Sequence, residues 1–420
     1  MTPPLRWCAA AGLAAVLATT GCTGTAATGA AAKPAAVALA AQGLPSELTI
    51  GVIVSLTSLP GEGSEWSQAA EGAQVAAYRY RLGGAKVTIK AVDDKGSDDG
   101  AVAAVDQLVQ AGAAGIVLAS GGSHVDAALT AAGNSGTPVL LPYAPQGAGS
   151  GGAVWATGPS ATAISKALGQ AASGAGASSV LVVDAGGGAP EPSTSDAVTV
   201  SAADDEAAIV STVKAGLKGS GHDGLLVTGS AAQQAKVVRA VQGASITLPL
   251  ILGPEATSPA FASSLGAGSG SLNGDFSTVG VSSGDAVALQ ADADGAAMSA
   301  FLAALRGAAA DSQVKDFFDG DPFATVAVAA DSRSHDAVVA LVNAAAKAGS
   351  AKPADVAKAL AGLTLTHEQG LAGPSLAFTS PGALSDDTVV ALRASTKGTG
   401  LRPETESGTG QLYWFRAPSS

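Results

Sequence analysis

Read for apolar and polar positions, the chain alternates short apolar runs with longer stretches of helical periodicity. Leu48–Val54 is almost wholly apolar, the pattern of a strand covered on both faces. A Gly/Pro/Ser loop from Ser55 to Ser64 follows, then a helical stretch from about Trp66 to Arg81. The pattern next predicts strands at Lys86–Val92, Gly115–Ala119 and Pro138–Leu141, with helices at Asp98–Ala111 and Ser123–Asn134. The alternation restarts with helices at Ser160–Ala172, Asp205–Leu217 and Ala231–Val241 and strands at Val180–Asp184, Gly224–Thr228 and Leu248–Leu252. Toward the C-terminus, helices are expected at Ala296–Arg306, Ser334–Ala348 and Asp355–Leu360, and strands at Ser375–Thr379, Val389–Arg393 and Gln411–Phe415. Strand and helix at this spacing build βαβ units, so the expected fold class is α/β, with mainly parallel sheets flanked by helices. Ligands of such sheets bind beyond the carboxyl ends of the strands.

Ahead of this body lie a lone basic residue, Arg6, an apolar run from Ala9 to Ala18, and the close Thr19-Thr20-Gly21-Cys22. Spanning a bilayer takes about 20 apolar residues, so the run reads as a secretion signal with a cleavage site. Small residues ending in Gly-Cys resemble the lipobox of bacterial lipoproteins, although Thr19 stands where that motif carries Leu, Val or Ile. The resemblance implies a signal peptide over 1–21, acylation of Cys22 and a flexible Ala/Gly/Lys/Pro tether over 22–46. Cys8 leaves with the signal, so no disulfide is available and the core alone must stabilise the body. With 47% apolar residues and this length, two globular units can form. The formal net charge is -12, and losing Arg6 takes the mature body to -13. That balance argues against nucleic acid and against docking on anionic lipid. No later run reaches about 18 uninterrupted apolar residues, so the membrane is expected to be met through the lipid anchor only.

Leu48–Ser58, Gly72-Ala73-Gln74-Val75-Ala76, the Val92–Ser97 turn, Ser120-Gly121-Gly122-Ser123 and Thr137–Ala144 fall in an order that resembles the branched-chain amino acid class of periplasmic binding proteins, the receptor subunits of ABC importers. Trp155–Ser160, Gly253-Pro254-Glu255 and Ser334-His335-Asp336-Ala337-Val338 extend the likeness to about Leu392. The resemblance implies a two-lobe type I periplasmic-binding-protein fold, with lobe 1 over 47–156 plus about 284–365 and lobe 2 over 157–283 plus about 366–420. It also implies that Gly122, Ser123, Tyr143 and Ala144 hold a ligand carboxylate and that Glu255 holds its ammonium. Asp184 and Thr57 are further candidates at strand ends. Ser123 equally suits a helix N-cap, Tyr143 could wall a cleft or pack at the lobe edge, and Glu255 could be a solvated loop residue. Two departures bear on the ligand: Pro145 stands where the family often has Thr, and Ala185–Ser195 lacks the Tyr-Gly pair whose ring helps close on the ligand. The implied protein is a monomer with no cofactor that binds a neutral amino acid or similar solute and docks on ABC permease subunits. The alternative is an envelope protein of the same fold acting as a sensor or docking partner.

Enzyme readings are weaker. Gly280-Val281-Ser282-Ser283-Gly284 satisfies Gly-x-Ser-x-Gly, but 55 glycines make a chance match expected, and no helix pattern follows at once. His124, His222, His335 and His367 lack metal-ligand spacing, and His124 reads as an exposed first-turn residue. Asp93–Asp99 resembles a calcium loop with Ala104 where the bidentate glutamate belongs, so no metal is expected.

Overall fold

The structure is a computed structural model and describes residues 33–144, 152–187, 196–268, 270–318, 320–403 and 410–417. The signal, Cys22, Pro145 and most of the glycine-rich 185–195 stretch lie outside these residues. The first apolar run is β1 (Leu48–Val54), flanked by β2 (Val87–Asp93) and β3 (Ile116–Leu118), with β4 (Val139–Leu141) and β5 (Val154–Ala156) beyond. All five pair in parallel. The connections are α1 (Gly72–Leu82), α2 (Asp98–Gln110) and α3 (Val125–Ser135). Ser97 caps α2 by accepting from the Gly100 amide, and Asp98 and Asp99 sit in its first turn, where the helix dipole favours acids.

The helix expected from Trp66 begins only at Gly72, after two 3-10 turns at Ser64–Trp66 and Ala69–Glu71. At Gly72 the backbone passes under the Asp331 carbonyl so closely that a Cβ would lie 1.8 Å from its oxygen. Only glycine fits that approach.

The second lobe comprises α4 (Ala161–Gly174), β6 (Val180–Ala185), β7 (Ala197–Thr199), α5 (Glu206–Leu217), β8 (Gly224–Gly229), α6 (Ala231–Gly243), β9 (Leu250–Leu252), α7 (Pro259–Gly266) and β10 (Phe276–Val281). Its parallel strands run in the order β10-β9-β8-β6-β7. The apolar pattern did not reveal β7, α7 or β10, nor β5 in the first lobe. β10 is buried along its whole length, but Ser277, Thr278 and Gly280 interrupt its apolar run. Thr278 is tolerated there because its hydroxyl donates to the carbonyls of Leu252 and Gly253 at 3.0 and 2.8 Å.

The chain then returns to the first lobe through α8 (Ala293–Ala310), α9 (Ser332–Ala348) and α10 (Pro353–Leu360). Val338, Leu341, Val356 and Leu360 pack with Ile50 and Val52 in one core. β11 (Thr364–Leu365) and β12 (Leu376–Ala377) form a two-stranded hairpin. The return to the second lobe, expected near residue 366, falls later. Leu371, Leu376, Phe378 and Leu384 are buried in the first core, which holds this segment until β13 (Val389–Ser395). β13 and β14 (Tyr413–Arg416) complete the second sheet as antiparallel strands beside β10.

Three segments cross between lobes side by side. Ala156 bridges Gly382, the Ser282 amide donates to the Thr388 carbonyl at 2.9 Å, and the Ser160 hydroxyl donates to Asp386 at 2.6 Å. No helix among the described residues is long and apolar enough to cross a membrane.

Candidate functional site

The carboxyl ends of β1, β2 and β3 are stitched together by a buried polar cluster. The Ser55 hydroxyl donates to Asp94 and lies 2.8 Å from the Ser120 hydroxyl. His124 Nε2 stands 3.1 Å from Ser120 Oγ and 3.0 Å from Asp94 Oδ2. His124, expected to be exposed, is 2% exposed. It is also the N-cap residue of α3, so Ser123 does not cap that helix. Low dielectric strengthens such a network and fixes the loops above it.

Gly122 and Ser123 face solvent above this cluster, but the donor there is already engaged. The Ser123 amide donates to Glu62 Oε2 at 2.9 Å. Gly122 has φ +95°, and a Cβ on it would lie 1.8 Å from that oxygen. The carboxylate therefore rests directly on the glycine turn, 3.5 Å from His124 Nδ1, which makes no hydrogen bond. A side chain of the protein itself thus occupies the amide that the family resemblance assigns to a ligand carboxylate.

Tyr143 stacks on Trp66 with ring centroids 4.7 Å apart and planes 9° from parallel. Its hydroxyl donates to Asp331 Oδ1 at 2.9 Å, and burial pushes the phenol well above its usual range. The Arg333 guanidinium lies 4.5 Å from the Tyr143 ring centroid and 4.7 Å from that of Trp66, within cation–π reach. Arg333 Nε also pairs with Asp331 Oδ2 at 2.8 Å. Tyr143 is therefore packed against Trp66 of the loop before α1 and against Asp331 and Arg333 at the head of α9. Ala144 faces the other way, buried in the core formed with α2 and α3.

On the second lobe, Glu255 follows β9 in a 3-10 turn. Gln234 Nε2 donates to it at 3.3 Å. Burial pushes the Glu255 carboxyl up to about 7, and the charge of Glu65 from the first lobe adds to the effect. Burial likewise raises Glu65, with Glu62 adding a smaller part. Glu65 and Glu255 therefore interact across the lobes, with Glu62 beside Glu65 on the first lobe. Asp184 accepts from the Gly186 amide at 2.9 Å and from the Thr228 hydroxyl at 3.5 Å, holding its own strand end. Thr57 is exposed on the β1–α1 loop.

The lobes touch at that loop: a Cβ on Gly61 would lie 3.5 Å from Ser230 Cβ. Glu62, Glu65, Trp66 and Arg333 were not marked as site residues by the sequence. Each sits in a loop or at a helix start, where periodicity carries no signal. The hydrolase-like serine, Ser282, makes no hydrogen bond to a histidine among the described residues; its amide joins the crossover instead.

Solved structures share this architecture. The branched-chain amino acid transporter substrate-binding protein LivJ of Streptococcus pneumoniae, solved with isoleucine, is 18% identical, with TM-score 0.60 over 88% of this chain and 99% of its own. A fatty acid ABC transporter substrate-binding protein of Thermomonospora curvata is 14% identical, with TM-score 0.60 over 90% and 94%. An ABC transporter solute-binding protein of R. palustris in complex with 4-hydroxybenzoate is 15% identical, with TM-score 0.59 over 89% and 98%. No protein-family model matches the chain, and neither does any curated protein. The shared architecture is the two-lobe type I periplasmic-binding-protein fold, with mainly parallel sheets flanked by helices. Its neighbours are substrate-binding proteins of ABC transporters.

Proposed function

We propose that this chain is an extracytoplasmic solute receptor of an ABC importer, anchored through acylated Cys22, that binds a small polar ligand between its lobes. The observation that carries this reading is that loops after strands of the two mainly parallel sheets meet, Gly61 of the β1–α1 loop against Ser230 after β8, with Glu65 of that loop acting on Glu255 after β9. Ligand contacting both lobes would stabilise their closure, and the closed form would dock on a permease. The receptor reading carries no catalysis, and the placement of Ser282 in a crossover supports that.

By resemblance the cargo is a branched-chain or other neutral amino acid, with Glu255 receiving the ammonium and Ser123 the carboxylate. Glu62 stands on the Ser123 amide, so this cargo would have to displace it. The test is thermal unfolding of the purified chain against amino acids, amides, short peptides and simple carboxylates. A ligand at about 100 times its dissociation constant adds roughly 2.7 kcal/mol, a visible shift. A shift with leucine or a relative, lost in Glu255→Ala, supports an amino acid receptor. A flat response across the panel from folded protein favours the sensor or docking role. For the anchor, Cys22→Ala should release the protein from the membrane fraction.

A further inference from the structure

A cavity of about 370 Å³ lies between the lobes, and none of the residues assigned to ligand by resemblance lines it. Its walls come from the head of α9 and the turn before α1 on the first lobe. The turn after β9, the turn after β10 and β14 supply the second. The volume falls in the ordinary range of small-molecule sites, about 300–1,000 Å³.

The charges in its walls are unequally used. Asp285 is paired with Arg402 Nε at 2.8 and 3.0 Å, and Arg402 Nη1 is spent on the carbonyls of Val328 and Ala330. Asp331 already takes Arg333 Nε and the Tyr143 hydroxyl. Arg333 differs: its two Nη groups make no hydrogen bond among the described residues, while Trp66 and Tyr143 hold the guanidinium in place. Ser258 lies in the wall, 3% exposed, and its hydroxyl has no partner among the described residues. The cavity therefore offers unspent donors but no unpaired carboxylate. Both ion pairs leave the wall neutral overall, so an ammonium would find no free carboxylate to accept from it. What distinguishes a carboxylate is that it would meet the two unspent Nη groups of Arg333. A carboxylate on Arg333 would form a charge-assisted pair.

Resting on the receptor reading above, we infer that this cavity is the ligand site and that its cargo is a small monocarboxylate with an apolar body and no amino group. Apolar surface from Val281, Leu392 and Trp414 lines the remainder. Glu62 is consistent with the inference, because it fills the carboxylate position an amino acid would use.

The experiment is isothermal titration of the full chain with 4-methylpentanoate, with benzoate, and with leucine, which differs from the first only by its amino group. Binding of either carboxylate at least about tenfold tighter than leucine is expected, with a further loss of about tenfold or more in Arg333→Gln. Ser258→Ala provides a second variant. Its hydroxyl has no partner among the described residues, so the melting point should hold while carboxylate affinity falls by about three- to tenfold. Leucine binding as tightly as 4-methylpentanoate, carboxylate binding indifferent to both variants, or no carboxylate binding at all would each overturn the inference. If another solute of the panel then still stabilises the protein, the receptor reading stands without it; if none does, both fall.

Discussion

Glu71 and Glu255 both hold a carboxyl where water cannot reach it easily. Burial raises Glu71 to about 8, with Asp316 adding to it, although the Phe317 amide donates to its Oε1 at 2.9 Å. Its Oε2 has no partner among the described residues. Glu255 is raised to about 7. In both, the folded pKa lies above the unfolded one, so folding takes up protons between the two values. The stabilisation is complete below the unfolded carboxyl pKa of about 4.3 and is lost as pH rises through 7 and 8. Denaturant unfolding of the ligand-free protein should show stability falling by on the order of 6 kcal/mol from about pH 5 to about pH 8.5, the larger part from Glu71. Glu71→Gln keeps the acceptor for Phe317 and should flatten much of that slope, with Glu255→Gln removing a further part. A slope unchanged in both variants would assign the dependence elsewhere. Asp223, held down to about 2 by Ser178 and Ser179, acts only at far lower pH. None of this was visible in the sequence: Glu255 stood out by its Gly-Pro-Glu setting, whereas Glu71 precedes a helix and reads like any polar residue there.

At the level of elements, the first lobe was largely legible because β1, β3 and β4 are short and apolar, β2 carries apolar residues at Val87, Ile89, Ala91 and Val92, and helices are regularly spaced between them. The second lobe was less so, since β10 carries polar residues whose hydroxyls are satisfied inside the sheet rather than by solvent. The Ser-His-Asp-Ala-Val motif marked the start of α9, but its role emerges only in three dimensions. Arg79 of α1, 2% exposed, donates to the carbonyls of Ala36, Val37 and Gly370 and to His335 Nε2. His335 Nδ1 lies 2.7 Å from Asp336, whose carboxylate also accepts from the amides of Ala372 and Gly373. Burial lowers the His335 pKa, so the neutral ring accepts from Arg79 and donates to Asp336. One relay thus ties α1, α9, the segment ahead of β1 and the loop before β12. Arg79→Ala would leave several buried acceptors without a donor and should cost about 3 kcal/mol or more. Urea unfolding should show a lower midpoint at unchanged slope. A loss under about 1 kcal/mol would mean that water replaces the guanidinium.

The two lobes and their bounds came from the family resemblance rather than from composition, and the structure carries crossover contacts at Ala156, Ser160 and Ser282. The last crossover was misplaced because Leu371–Leu384 has no periodicity to declare which core it enters. Contacts between lobes were not legible at all, since they join residues far apart in sequence through loops of weak pattern. One joins Gly61 and Ser230: a Cβ on Gly61 would lie 3.5 Å from that of Ser230, at the near edge of the disulfide range of about 3.5–4.5 Å. This gives a direct test of whether the lobes meet in solution as they do here. Cysteines at both positions should cross-link under mild oxidation, and the body has no other thiol to compete, because Cys8 and Cys22 both precede it. Gly61 has φ +89°, so the substitution carries a strain of about 1 kcal/mol, which the single variant Gly61→Cys measures separately. Cross-linking should go near completion without ligand and should slow exchange of any bound solute, because exit requires the lobes to part. Thiol titration and mass spectrometry read the first effect, and ligand dissociation by stopped flow reads the second. Free thiols persisting in a protein with an unchanged fold would show that the lobes rest apart and that the contact forms only when something fills the space between them.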